Sequence, residues 1–280
     1  MVEHRPWLTF FTHASLIFSC LIIAFPIYVT FVASTHTLDE IATSFPLLPG
    51  SQLVENYSRA LAVGPRDVGA TVGTMMLNSL IMALGITFGK IAISLIAAYA
   101  IVYFRFRFRM FFFWLIFITL MLPVEVRILP TYKVAADLKM LDSYPGLIFP
   151  LIASATATFL FRQFFMTVPD ELCEAVRIDG GGPIRFFFDI LLPMSRTSIA
   201  ALFVILFIYG WNQYLWPLLI TNDESYYTVL IGIRRMLDVG EGQAEWHIIM
   251  ASAMLAMIPP VLVVIFMQRQ FVRGMTETEK

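Results

Sequence analysis

The chain has 280 residues, of which 59% are hydrophobic and only 14% charged, and its formal net charge is −1. Soluble domains carry about 25% charged residues, so the composition describes a membrane protein, and no net field points to nucleic acid. Cys20 lies in an apolar run and Cys173 in a charged segment, neither within a CxxC, so a disulfide framework is excluded as well.

A spanning helix needs about 20 mostly apolar residues. In chain order the stretches that qualify are about 10–34, 76–103, 110–128, 145–166, 198–220 and 248–267. These define an all-α integral membrane protein with six transmembrane helices. The first stretch is too long for a signal-peptide core and is expected to be retained. A polar connection, 36–75, separates it from the other five and is punctuated by "FPLLPG" and "GPRDVG". With the N-terminus inside, the inner segments hold Arg5, Arg105, Arg107, Arg109, Arg162, Arg177, Arg185, Arg196, Arg269, Arg273 and Lys280. The outer segments hold Arg59, Arg66, Arg127, Lys133, Lys139, Arg234 and Arg235, a smaller set. The positive-inside rule then places both termini in the cytoplasm.

Nucleotide and catalytic motifs fail on their details. "DGGGP" (179–183) lacks the third glycine of GxGxxG, and no strand precedes it. "GITFGKI" (85–91) is one residue short of a P-loop, has Ile91 where the hydroxyl belongs, and lies within a span. The histidines at 4, 13, 36 and 247 form no HExxH, and there is no GxSxG.

Residues 167–195 read as two short helices and a glycine turn on the cytoplasmic side. Pro169 suits a first helical position, and Asp170, Glu171 and Glu174 complement the helix dipole. Gly180 or Gly181 suits a left-handed stop. After Pro183, residues Ile184, Phe187, Phe188 and Leu191 recur at i, i+3, i+4 and i+7, predicting one apolar face, with Arg185 and Asp189 paired at i, i+4. Pro193 ends this helix or bends it. The segment is either a plain connecting hairpin or a docking element whose bare turn admits another backbone.

"EAVRIDGGGPIRFFFDILLP" resembles the EAA motif of permease subunits in binding-protein-dependent ABC importers, of the carbohydrate-uptake class. Glu174 and Ala175 match its first positions, Gly180 its glycine, and Leu192 and Pro193 its distal pair. Val176 replaces the second alanine, and Gly181 stands where alanine is usual. "YGWNQYLWPLL" and "FMQRQFVRGM" resemble the class's fifth span and C-terminal end. "EHRPWLTFF", "LMLPVEVRILPT" and "ATATFLFRQFFMTVPDEL" resemble the second permease of importers for sn-glycerol-3-phosphate.

The resemblance implies a type I importer fold in the bacterial inner membrane: an N-terminal helix (1–35), a periplasmic connection (36–75), a transmembrane domain (76–270) and a cytoplasmic tail (271–280). It implies a second, different permease, a dimer of ATPase subunits and a periplasmic solute-binding protein as partners. ATP and magnesium would sit on the ATPase, so this chain would bind no cofactor and would not be an enzyme. Glu174, Ala175, Gly180, Gly181, Leu192 and Pro193 would couple to that ATPase. Another sugar or polyol of the same class is the alternative cargo. An ion-coupled transporter is the rival from another class, and it should show intramembrane carboxylates or inverted repeats.

Charges inside a membrane mark function by default. Lys90 lies within the second span, and Arg127 with Glu125 near the outer end of the third. Either cation could meet a phosphate-bearing cargo. Lys90 could equally serve a structural pair, and Arg127 could pair with Glu125 or snorkel to the interface. Asn212, Gln213 and Trp216 could line the pathway or hold helices together.

Overall fold

The computed structural model describes residues 6–63, 68–238 and 244–276. Arg5, Arg66 and Lys280, and the side chains of Glu125 and Arg273, lie outside the described part. Among the described residues all regular structure is helical, without strands. The chain divides into two compact units, one of residues 1–74 with 232–257 and one of residues 75–231 with 258–280.

In the first unit the long helix α1 (Pro6–Ala33) is followed by α2 (Leu38–Thr43) and α3 (Leu53–Ala62). Thr37 and Glu40 close a capping box on α2, and its backbone N–H holds the Glu40 carboxyl below the usual carboxylate range. The end of α1 is tied down by buried polar groups that all find partners. Asn56 Nδ2 donates to the carbonyls of Ser34 and His36, each at 2.9 Å. Thr35 Oγ1 accepts the Gly50 N–H at 2.7 Å and donates to the Val32 carbonyl at 2.6 Å. A Cβ on Gly50 would lie 2.5 Å from the Thr35 carbonyl oxygen, so only glycine allows this approach. The unit also contains α14 (Val229–Leu237) from Gly232 onward and the start of α15 (Trp246–Thr276). There Arg59 pairs with Glu245 at 2.6 Å.

The second unit is built on α4 (Val72–Tyr103) from Met75 onward, followed by α5 (Arg109–Ile118), α6 (Val124–Asp137), α7 (Tyr144–Ile148) and α8 (Ala155–Phe165). Then come α9 (Asp170–Ile178), α10 (Pro183–Phe186), a π turn (Phe187–Leu191), α11 (Leu192–Met194), α12 (Arg196–Trp211) and α13 (Leu215–Ile220). One core gathers Ile91, Leu95, Phe161, Phe165, Leu191 and Leu202, and a second gathers Met82, Ile86, Leu147, Trp216 and Ile220. Asn78 pins the second region. It donates to the carbonyls of Ser225 and Tyr227 at 2.7 and 3.0 Å and accepts the Tyr144 hydroxyl at 2.7 Å.

Among the described residues, only α1, α4 and α15 are uninterrupted helices long and apolar enough to cross a membrane. The other expected spans are broken, each at an identifiable residue. The stretch 110–128 stops at Leu122, because Pro123 disfavours helical backbone in the residue before it. The stretch 145–166 bends by 50° between residues 144–151 and 155–165, where Ser154 caps the new helix by accepting the Ala157 N–H. The stretch 198–220 is interrupted at 212–214.

Two glycines of the failed P-loop match have a packing job. Gly85 and Gly89, one helical turn apart on α4, face Ile148 and Ile152, and a Cβ on them would meet those side chains at 2.6 and 2.5 Å. This is the small-residue spacing that lets membrane helices pack closely.

Candidate functional site

The hairpin 167–195 has the helix–turn–helix form that its sequence suggests. Pro169 sits at the N-cap position rather than the first helical one, and Asp170 opens α9. Gly180 is the left-handed stop, with φ +73°. Gly181 N–H donates to the Val176 carbonyl at 2.8 Å and Gly180 N–H to the Arg177 carbonyl at 3.1 Å. These paired bonds form a Schellman motif, which satisfies the last carbonyls of α9. A Cβ on Gly180 or Gly182 would meet nothing within 4 Å, whereas one on Gly181 would lie 2.7 Å from Val176 Cγ1. Gly180 and Gly182 thus border open space.

The predicted apolar face of the second hairpin helix needs correction. Ile184 and Phe188 are exposed, while Phe186 and Leu191 are buried. The π turn at 187–191 inserts extra backbone into one turn and rotates the residues after it, so a regular 3.6-residue period misassigns the face. Pro193 lacks an N–H to give to the preceding turn, and the irregular stretch accommodates it. The chain then bends by 69° between residues 183–194 and α12. Arg185 and Asp189 pair at 3.4 Å with both side chains exposed, a contact that contributes little.

Exposure is concentrated at the tip. Ile178 is 85% and Ile184 76% exposed, flanking the open turn with apolar surface. Glu174 and Ala175 are exposed, and Leu192 and Pro193 are half-buried. The base is fixed instead. Tyr99 of α4 donates its hydroxyl to the Pro183 carbonyl at 2.9 Å, and its ring lies 5.1 Å from Phe187. Tyr103 stacks edge-on to Phe186 at 5.1 Å and donates to the Phe165 carbonyl at 3.2 Å. Neither the tyrosine anchors nor the exposed Ile178 followed from the motif. The Tyr99–Tyr103 spacing of one helical turn at the end of α4 was the available signal.

A second constellation lies in the middle of the same unit. Lys90 is 7% exposed, and its Nζ sits 3.7 Å above the centre of the Tyr209 ring. The contact exists because α4 and α12 approach closely: a Cβ on Gly210 would lie 2.9 Å from Ala83 Cα. Arg127 on α6 is exposed and lies within electrostatic reach of both Lys90 and Tyr209. Among the described residues no carboxylate pairs with Lys90 or Arg127. A lysine at mid-membrane costs about 2.5–3.5 kcal/mol, and a desolvated cation–π contact returns about 2 kcal/mol. The Tyr209 ring therefore offsets most of the cost of Lys90, and the repulsion from Arg127 is added to what remains.

The other candidate pathway residues do not join this cluster in one arrangement. Asn212 is exposed at the end of α12. Gln213 donates to the backbone carbonyl of Tyr209, the residue whose ring faces Lys90, at 3.1 Å. Trp216 is buried, and its indole N–H donates to the Gly146 carbonyl at 3.1 Å.

Residues 90–277 match the family described as "Binding-protein-dependent transport system inner membrane component". Over the full length of both proteins the chain is 60% identical across 282 residues to the sn-glycerol-3-phosphate transport system permease protein UgpE of Brucella melitensis biotype 1. It is 58% identical across 282 residues to the protein of the same name from Rhizobium meliloti (strain 1021), again over all of both chains. Its fold is similar to a chain in the crystal structure of a bacterial ABC transporter involved in the import of the acidic polysaccharide alginate. That match has a TM-score of 0.83 and 18% identity, and covers 97% of this chain and 99% of that one. At that identity the likeness is one of fold. This chain belongs to the family of inner-membrane components of binding-protein-dependent transport systems.

Proposed function

We propose that this chain forms half of the translocation pathway of an ATP-driven importer for sn-glycerol-3-phosphate and, by the same chemistry, glycerophosphodiesters. One observation carries the reading: over its whole length the chain is 57–60% identical to permeases named for that cargo. A second, different permease subunit completes the pathway. A dimer of ATPase subunits binds ATP and magnesium, and a periplasmic binding protein delivers the cargo.

The hairpin supports the coupling role. Its tip, around Glu174, Ala175, Gly180 and Gly181, offers exposed apolar and acidic groups beside a turn bare enough for another backbone to approach. Its base is locked to α4 through Tyr99 and Tyr103 and continues through Leu192 and Pro193 into α12. A displacement of the tip by the closing ATPase dimer is therefore passed to two pathway helices. A flexible loop would absorb it. In this arrangement the hairpin and both termini lie in the cytoplasm, and α5, the bent pair 144–165 and the interrupted run of α12 and α13 bring the crossings to six.

The test is uptake of labelled sn-glycerol-3-phosphate by cells lacking only this subunit. Uptake is expected to vanish and to return with the intact gene, to be blocked by vanadate and to resist a protonophore. Undiminished uptake in the deletion strain would refute the cargo, and protonophore-sensitive, vanadate-resistant uptake would refute ATP coupling.

A further inference from the structure

Two cations share one region of the second unit: Ile128, next to Arg127, packs in one core with Ile86 of α4 and against Tyr209, and among the described residues no anion pairs with either cation. Lys90 is buried on α4 and Arg127 exposed on α6, so the pair runs from an accessible to an enclosed position. The Lys90 ammonium rests on a ring face, the Tyr209 ring, which supplies attraction without a fixed negative charge. A carboxylate in that place would hold the lysine permanently. An aromatic face holds it until an anion arrives.

We propose that Lys90 and Arg127 form a transit site for the phosphate group of the cargo, and that Tyr209 holds the Lys90 ammonium between transport events. The inference rests on the reading of the cargo as a phosphate ester. Arg127 meets the phosphate first, in the more open position, and its planar guanidinium can grip two oxygens at once. Lys90 then exchanges the ring for a phosphate oxygen. Departure of the anion lets Nζ return to the ring. A transport site must bind well enough to admit its cargo and weakly enough to release it, and the competition from Tyr209 provides the weakening. Gly210 and Ala83 take part only by setting the α4–α12 distance that places ring and ammonium in register.

The site acts after the binding protein has released its cargo, so its loss appears in coupling. The experiment uses the complete importer with its binding protein in proteoliposomes and measures labelled sn-glycerol-3-phosphate carried per ATP hydrolysed. Lys90→Met and Arg127→Gln should each lower that ratio by about tenfold or more, the effect of losing one charge-assisted hydrogen bond. Lys90→Arg should retain most of it. Tyr209→Phe should be near wild type because the ring face remains, while Tyr209→Leu should slow turnover because nothing draws Nζ off the bound phosphate. An unchanged ratio in Lys90→Met with a lower yield of assembled complex would make Lys90 structural and overturn the proposal. A wild-type complex that carries an uncharged polyol and no glycerol phosphate would overturn the cargo reading together with it. Normal wild-type uptake with unchanged ratios in the variants overturns the transit site alone.

Discussion

Gly146 and the Gly180–Gly182 turn use the same residue type for opposite ends. A Cβ on Gly146 would run into the Met140 carbonyl and come within 3.3 Å of Ile220, and the Gly146 carbonyl accepts the buried Trp216 indole. At Gly180 and Gly182 an added Cβ would meet nothing within 4 Å. The first glycine is required by what already surrounds it. The others border space that this chain leaves empty. A bare turn beside empty space, flanked by exposed Ile178 and Ile184, leaves room for a partner, in keeping with the coupling role proposed for this hairpin.

Substitutions can break or sharpen this contrast. The largest effect is expected from Gly146→Ala. Its methyl cannot avoid a backbone carbonyl, so the yield of folded protein extracted from membranes should collapse. Wild-type yield would show that the packing around Gly146 yields easily. Gly180→Asp comes next and should separate folding from function. Its side chain has room, and the left-handed backbone costs about 1–2 kcal/mol for a non-glycine residue. The protein should reach the membrane while uptake is lost, and full uptake would remove the turn from the coupling path. Trp216→Phe keeps an aromatic ring but removes part of the buried volume and leaves the Gly146 carbonyl without its donor. A loss of about 1–3 kcal/mol is expected, read as a lower midpoint of thermal unfolding in detergent. The smallest effect concerns Val176 and Gly181. Alanine at 181 alone would crowd Val176 Cγ1 at 2.7 Å, so Gly181→Ala should lower uptake modestly. The added change Val176→Ala removes that methyl, though the carbonyl of residue 176 stays at 3.0 Å, and should restore part of the uptake. If the double variant is as impaired as Gly181→Ala, the two departures from the family motif are unrelated.

The EAA-like segment was legible because its cues are local. Acids at the start of α9, a glycine stop and a proline start each follow from backbone chemistry over a few residues. The apolar face of the second hairpin helix was misassigned because the π turn at Phe187–Leu191 changes the period, and nothing in "FFDIL" announces it. The breaks at Leu122–Pro123 and Ser154 were written in prolines and a cap but hidden inside runs whose hydropathy alone reads as a single span. The buried charge of Lys90 was visible as an anomaly, but its companion Tyr209 lies 119 residues further along the chain, and only the Gly210–Ala83 approach brings them together. "GITFGKI" shows the converse: its glycine spacing reports helix packing, as Gly85 and Gly89 against Ile148 and Ile152 make clear.

The central claim, that a partner fills the open turn, can be measured directly. In a chain with Cys20 and Cys173 replaced by serine, Gly182→Cys places a thiol in open space at the hairpin tip. Its labelling by a membrane-impermeant maleimide is followed in inside-out vesicles with and without the ATPase subunits. Rapid labelling in their absence and strong protection in their presence is the predicted result. Equal labelling in both preparations would contradict the account.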